Sequence, residues 1–275
     1  MKRNPIVSVI LYVIVFILIQ FVVTYAVFFI WNLAEGRRLE DVSQTFASGG
    51  VSLSFKMMIV AQAVFSLLTM AVFLKAKWCV VSRSYLRSRP WLVLLWAAIA
   101  ALGTLIPSEV LEGLMPLPDW SDGTLMQMLG NRWGFLVICI LAPLVEELVF
   151  RGAILRVLLQ GCQSHWVAIV ISALIFAVVH ANPIQMPHAF LMGLLLGWMY
   201  YRTRSVIPGI LVHWVNNTAA YVLYNLGYST STEIWGTNNT SITLAVVFSL
   251  LIFIPAIFQL HQRMKPAEGE LEVRS

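Results

Sequence analysis

Charged residues are scarce in this chain. Asp, Glu, Lys and Arg make up only 11% of its 275 residues, whereas a soluble domain carries about a quarter. Apolar residues make up 59%, and several apolar runs approach the roughly 20 residues that a membrane-spanning helix needs. The composition therefore excludes an ordinary soluble protein and predicts an all-α, polytopic membrane helical bundle.

Cysteine and the commonest hydrolase signatures are also missing or rare. The three cysteines, Cys79, Cys139 and Cys162, are far apart and lie in or beside apolar runs, which excludes a disulfide framework and a Cys-based metal spacing. There is no His-Glu-x-x-His or Gly-x-Ser-x-Gly sequence and no pair of intramembrane aspartates. A hydrolase built on this chain would therefore activate water with a carboxylate or a metal ion.

Eight apolar segments are predicted to cross the membrane, and the third and sixth are short. They run from about Ile6 to Ile30, Ser54 to Leu74, Trp91 to Ile106, Trp133 to Gln160, His165 to His180, His188 to Tyr201, Ile207 to Tyr224 and Ile242 to Leu260. We expect one transmembrane domain over residues 1–265, an external loop over 107–131 with room for a short interfacial helix, and a polar cytoplasmic tail over 266–275.

The basic residues predict the orientation. If all eight segments span, most of the Lys and Arg residues between them fall on one side: Lys2, Arg3, Lys75, Lys77, Arg83, Arg87, Arg89, Arg202, Arg204, Arg263 and Lys265. Arg37, Arg38 and Arg132 fall on the other side and are outnumbered. Because Lys and Arg accumulate in cytoplasmic loops, both termini are expected inside a multi-pass protein of the cell membrane. The positive residues that give the net charge of +5 cluster in short segments between apolar runs, so they indicate orientation and do not indicate nucleic-acid binding.

Two adjacent acids, Glu146 and Glu147, lie inside the fourth apolar segment. A carboxylate at membrane depth is costly unless it is paired, neutralised or facing a wet cavity. Glu147 and Arg151 are four residues apart and share a helix face, whereas Glu146 is rotated by about 100°. The spacing predicts that Glu147 pairs with Arg151 as a supporting ion pair and that Glu146 is free to act.

Further polar residues are predicted at a similar depth. Glu146 and His180 lie at equal distances along the chain from the turn near 161–164, roughly 20–25 Å at 1.5 Å per residue. His213 and Asn217 are four apart on one face of the seventh segment. We expect these four side chains to form the candidate catalytic group.

Other polar residues receive structural interpretations. His165, His188 and His261 are placed at the membrane interfaces, and Asn216 is interpreted as a helix–helix contact.

Two kinds of hydrolysis suit the predicted group. A glutamate and an imidazole can activate a water while a second histidine and an amide stabilise an oxyanion. Alternatively, Glu146, His180 and His213 bind zinc and leave a position for water, so the cofactor is left open between zinc and none. Alternatives outside hydrolysis are a non-catalytic membrane protein that confers immunity by binding a peptide, and a proton-coupled transporter.

The polar residues form three ordered motifs that resemble a known family. They are Glu146-Glu147-x-x-x-Arg151, Phe176-x-x-x-His180 and His213-x-x-x-Asn217. In order and in a multi-span chain, they resemble the CAAX protease and bacteriocin-processing (CPBP, Abi) intramembrane endopeptidases, including the type II CAAX prenyl endopeptidases. The similarity covers about residues 142–217.

The resemblance implies an eight-helix bundle with a cavity open to the cytoplasm. It implies that Glu146 and His180 activate water and that His213 and Asn217 stabilise the oxyanion; some accounts of the family instead make such groups zinc ligands. The implied partners are membrane lipid and a hydrophobic, lipidated or membrane-bound peptide or protein, and nucleic acid is not among them. The substrate itself is not determined.

Overall fold

All regular secondary structure is helical in the part of the chain that the computed structural model describes. That part comprises residues 4–80, 83–120, 123–228, 231–236 and 238–266, and it contains no β-strand. The predicted all-α class is therefore confirmed. All but the first residue of the expected polar tail, 266–275, lies outside the described residues.

Five described helices are long and apolar enough to cross a membrane. They are α1 (Pro5–Ala34), α3 (Phe55–Lys75), α5 (Trp91–Gly113), α7 (Arg132–Gly161) and α11 (Asn239–Arg263). The other three predicted spans are helices that are shorter or less apolar: α8 (His165–Val178), α9 (Met186–Thr203) and α10 (Ile207–Asn225). The eight segments are thus all helical, whereas the number of crossings and the side of the termini stay predictions.

Short helices fill three of the connections. They are α2 (Leu39–Ala47), α4 (Arg83–Arg87) and α6 (Thr124–Leu129), and 3₁₀ turns occur at Pro183–Gln185 and Ser231–Ile234.

The expected loop over 107–131 is only partly a loop. Helix α5 continues through Pro107 to Gly113, although proline removes one backbone hydrogen bond. Close packing accompanies this: a Cβ on Gly103 would lie 2.9 Å from Cβ of Phe253 in α11. Tight contact with a neighbouring helix can support a helix across a proline in an apolar environment. The sequence prediction, which took Pro107 as the start of a loop, therefore ended α5 too early.

Small residues bring α8 and α9 together. A Cβ on Gly193 would lie 2.8 Å from Cβ of Ala173, and one on Gly197 would lie 3.0 Å from Ile169. Helices in membranes approach closely where side chains are small. Helix α9 also lies beside α7, which carries the two glutamates, because a Cβ on Gly197 would lie 3.5 Å from Cδ2 of Leu155.

Candidate active site

Helix α7 changes its winding at the glutamate pair. An α-helical turn, Ala142–Glu146, separates two π-helical segments, Phe135–Leu141 and Glu147–Leu155. Pro143 in this turn supplies no backbone N–H, and π-helical segments often occur at functional sites. The boundary between α and π winding therefore falls between Glu146 and Glu147.

Glu147 and Arg151 form a buried ion pair. Their side chains are 0% and 1% exposed, and Arg151 Nη1 lies 2.7 Å from Glu147 Oε1. Arg151 also donates to the carbonyl of Gly193 at 3.4 Å and lies 4.3 Å above the centre of the Phe176 ring. On the other side, a Cβ on Gly209 would lie 2.6 Å from Glu147 Oε2. The pair is therefore enclosed by α8, α9 and α10.

His213 lies between the two glutamates. Its Nε2 is 3.8 Å from Glu146 Oε2, and its Nδ1 is 3.4 Å from Glu147 Oε1. The Glu146 side chain is 17% exposed, whereas that of Glu147 is fully buried. The neighbouring acids thus have different environments: Glu146 faces a cavity, and Glu147 lies behind His213.

His180 follows the last turn of α8 and is held by its own helix. Its Nδ1 lies 2.7 Å from the carbonyl oxygen of Phe176. Because a carbonyl only accepts hydrogen bonds, Nδ1 must carry the proton, and Nε2 of the neutral ring is then the acceptor. The sequence predicted that His180 lies at the same depth as Glu146, and both residues line one cavity. The imidazole nearest to the Glu146 carboxylate, however, is that of His213.

The amide of Asn217 belongs to a hydrogen-bonded chain. Its Nδ2 donates to the carbonyl of Ile138 at 2.9 Å, and its Oδ1 accepts from Nδ2 of Asn216 at 3.3 Å. Asn216 Nδ2 lies 3.1 Å from His188 Nε2. The orientation of the Asn217 amide is therefore determined by two neighbours.

Sequence reasoning missed the roles of His188 and Asn216, which it interpreted as interfacial and packing residues. A signal was present, because these residues are equally distant along the chain from Arg202, beside the turn between α9 and α10. The depth argument that matched Glu146 with His180 would have paired them too.

These side chains line a cavity of about 1150 Å³. The polar residues that line it include Glu146, His180, His188, His213, Asn216 and Asn217, and also Glu109 and Glu112 of α5. Small-molecule pockets usually measure about 300–1,000 Å³, so this volume is large enough for several residues of a peptide.

The predicted zinc ligands do not form a metal site in this arrangement. Within the described residues, no group of three or more His, Cys, Asp or Glu side chains is placed to hold a metal ion. Glu146 and His213 approach each other, but His180 does not complete a ligand set with them. We therefore derive no catalytic step through a metal.

Comparison with known proteins identifies the same region of the chain. Residues 128–219 match the family model described as Rce1-like, type II CAAX prenyl endopeptidase. An "Uncharacterized 24.3 kDa protein" of Escherichia coli is 34% identical over 82 residues, which cover 28% of this chain and 38% of that protein. The chain therefore matches well under two thirds of that relative's length, and no solved structure matches. The resemblance predicted from the three motifs is thereby confirmed: residues 128–219, which contain all of them, are similar to the Rce1-like type II CAAX prenyl endopeptidases, a family of proteases.

Proposed function

We propose that this protein is an intramembrane endopeptidase of the cell membrane that hydrolyses a peptide bond in a membrane-associated or lipidated substrate. One observation carries the proposal. Glu146 from α7, His180 just after α8, and His213 and Asn217 from α10 line one cavity, beside a buried ion pair that balances the charge of the second glutamate. A protease needs this combination of a proton acceptor, hydrogen-bond donors and a cavity large enough for a peptide.

Water activation is assigned to Glu146 and His180. Glu146 Oε2 is buried and has no hydrogen-bond partner among the described residues, so it can accept a proton from a bound water. In the neutral ring of His180 the proton acceptor is Nε2, because Nδ1 donates its hydrogen to the carbonyl oxygen of Phe176. In the proposed step, water attacks the substrate carbonyl carbon as Glu146 takes its proton. The proton then passes to the departing amine when the C–N bond breaks.

Oxyanion stabilisation is assigned to His213 and Asn217. The ring of His213 presents Nε2 on the cavity side, where an N–H at this atom donates to the substrate oxygen, and its Nδ1 lies 3.4 Å from Glu147 Oε1. Asn217 uses one hydrogen of Nδ2 for the Ile138 carbonyl and keeps the second for the substrate oxygen. Donors held in place before the reaction stabilise the charge that develops on that oxygen.

The test is Glu146→Gln in purified, detergent-solubilised protein with a lipidated hydrophobic peptide as the probe. Glutamine keeps the size of the side chain but cannot take the proton, so cleavage should fall by about 100-fold or more. The matched control is Glu40→Gln on the exposed surface of α2, which should cleave like the unaltered protein.

Full cleavage by Glu146→Gln would exclude the mechanism. If the unaltered protein binds the probe without cutting it, the peptide-sequestering alternative is supported instead.

A further inference from the structure

The helix ends that carry most basic residues meet at one end of the bundle. The end of α7 contacts the start of α1, since a Cβ on Gly161 would lie 2.8 Å from Cβ of Pro5. The end of α9 contacts the end of α11, since Arg202 donates to the carbonyl oxygen of His261 at 2.7 Å. We call this end of the bundle the basic end.

Lys and Arg are distributed very unevenly between the two ends. Among the described residues, those in or beside helix ends of the basic end are Lys75, Lys77, Arg83, Arg87, Arg89, Arg156, Arg202, Arg204, Arg263 and Lys265. Those toward the opposite end are Arg37, Arg38, Lys56 and Arg132. Because short cytoplasmic segments are enriched in Lys and Arg, the basic end faces the cytoplasm.

The cavity lies toward the opposite end. Its outer wall includes residues 51–54 before α3, Trp120, and residues after α8 such as Ala181 and Gln185. Asn182 joins two of these connections by donating to Asp119 Oδ1 at 2.7 Å. Among the described residues, the cavity lining includes none of the helix ends that form the basic end.

We infer that the active-site cavity opens to the extracytoplasmic side of the membrane. The substrate is then a peptide segment presented at the outer surface, next to a transmembrane helix or a lipid anchor that holds it at the membrane. The statement that the substrate is a peptide rests on the proposed function. The direction in which the cavity opens is inferred independently of that function. This direction is opposite to the cytoplasmic opening that the family resemblance implies.

Two single serine substitutions test the direction. Ser52→Cys places a thiol on the cavity wall, and Ser88→Cys places one at the basic end; both positions are exposed. Both are made with Cys162→Ala, which removes the partly exposed native thiol and leaves the buried Cys79 and Cys139. Intact and permeabilised cells are treated with a membrane-impermeant maleimide, and labelling in intact cells is expressed as a fraction of labelling after permeabilisation.

We expect Ser52→Cys to be labelled in intact cells. We expect Ser88→Cys to be labelled only after the cells are permeabilised. An equal or lower fraction for Ser52→Cys than for Ser88→Cys overturns the inference. The experiment needs no catalysis, so the same pattern is expected in a Glu146→Gln background. Cleavage by Glu146→Gln would contradict the proposed function and leave the labelling result valid.

Discussion

The buried ion pair between Glu147 and Arg151 allows a direct test of how the site is held together. Glu147→Gln removes one negative charge with little change in volume. The guanidinium of Arg151 is 1% exposed, and water cannot replace the lost partner. Its other contacts, the Gly193 carbonyl at 3.4 Å and the face of Phe176, do not neutralise a full charge.

The expected loss follows from that burial. Removing one partner of a buried ion pair typically costs about 3–5 kcal/mol, because the remaining charge stays uncompensated. The control is Asp41→Asn, which breaks a pair with Arg38 at 3.0 Å. Those side chains are 43% and 77% exposed, and such surface pairs contribute about 0–1 kcal/mol.

The assay is the thermal unfolding midpoint and folded yield of each variant in the same detergent. Glu147→Gln should lower both clearly more than Asp41→Asn does. Adding Arg151→Gln removes the unpaired charge, so the double variant should be more stable than the sum of the single effects predicts. The reasoning is refuted if Glu147→Gln unfolds at the same temperature as Asp41→Asn.

Three further predictions concern the surroundings of the site. Gly209→Ala should destabilise the protein by about 1–3 kcal/mol in thermal unfolding, because the added methyl meets a buried carboxylate; Gly113→Ala, where a Cβ meets nothing within 4 Å, should not. Asn216→Ala should reduce the cleavage rate by about 5- to 10-fold, the equivalent of one hydrogen bond. The reason is that Asn217 loses the donor that orients its amide, and an unchanged rate would contradict this. Cleavage should persist in excess chelator, since the described donor side chains form no metal site, and its loss with rescue by added zinc would contradict this.

Helix positions were predictable from the sequence because they depend on local properties. The start of α8 at His165 and the approximate extent of α9 and α10 follow from apolar runs interrupted by polar turns. The extent of α5 was not predictable from local sequence, because Pro107 suggests an end whereas the helix continues to Gly113 and packs on α11, where Phe253 lies against Gly103.

The candidate site was only partly predictable. The sequence separates Glu146 from Glu147 by helical spacing, and the structure gives them different exposure. The sequence does not predict that His213 lies between the two acids. The spacing of residues along one helix carries no information about which face of a neighbouring helix packs against it. The π-helical segment that begins at Glu147 was not predictable either, because the sequence argument assumes an α-helix with 3.6 residues per turn.

By itself, the sequence determined that the chain is helical and carries apolar segments long enough to span a membrane, and it predicted that three polar motifs lie at membrane depth. It did so because the cost of a charge in hydrocarbon and the rise of a helix apply to each segment separately. Only the tertiary structure decided that His213 lies between the two acids, that Asn216 contacts both His188 and the Asn217 amide, and that the cavity lies away from the basic end. These features arise from lateral packing, in which Gly193 and Gly209 let distant helices approach closely enough for their polar groups to meet.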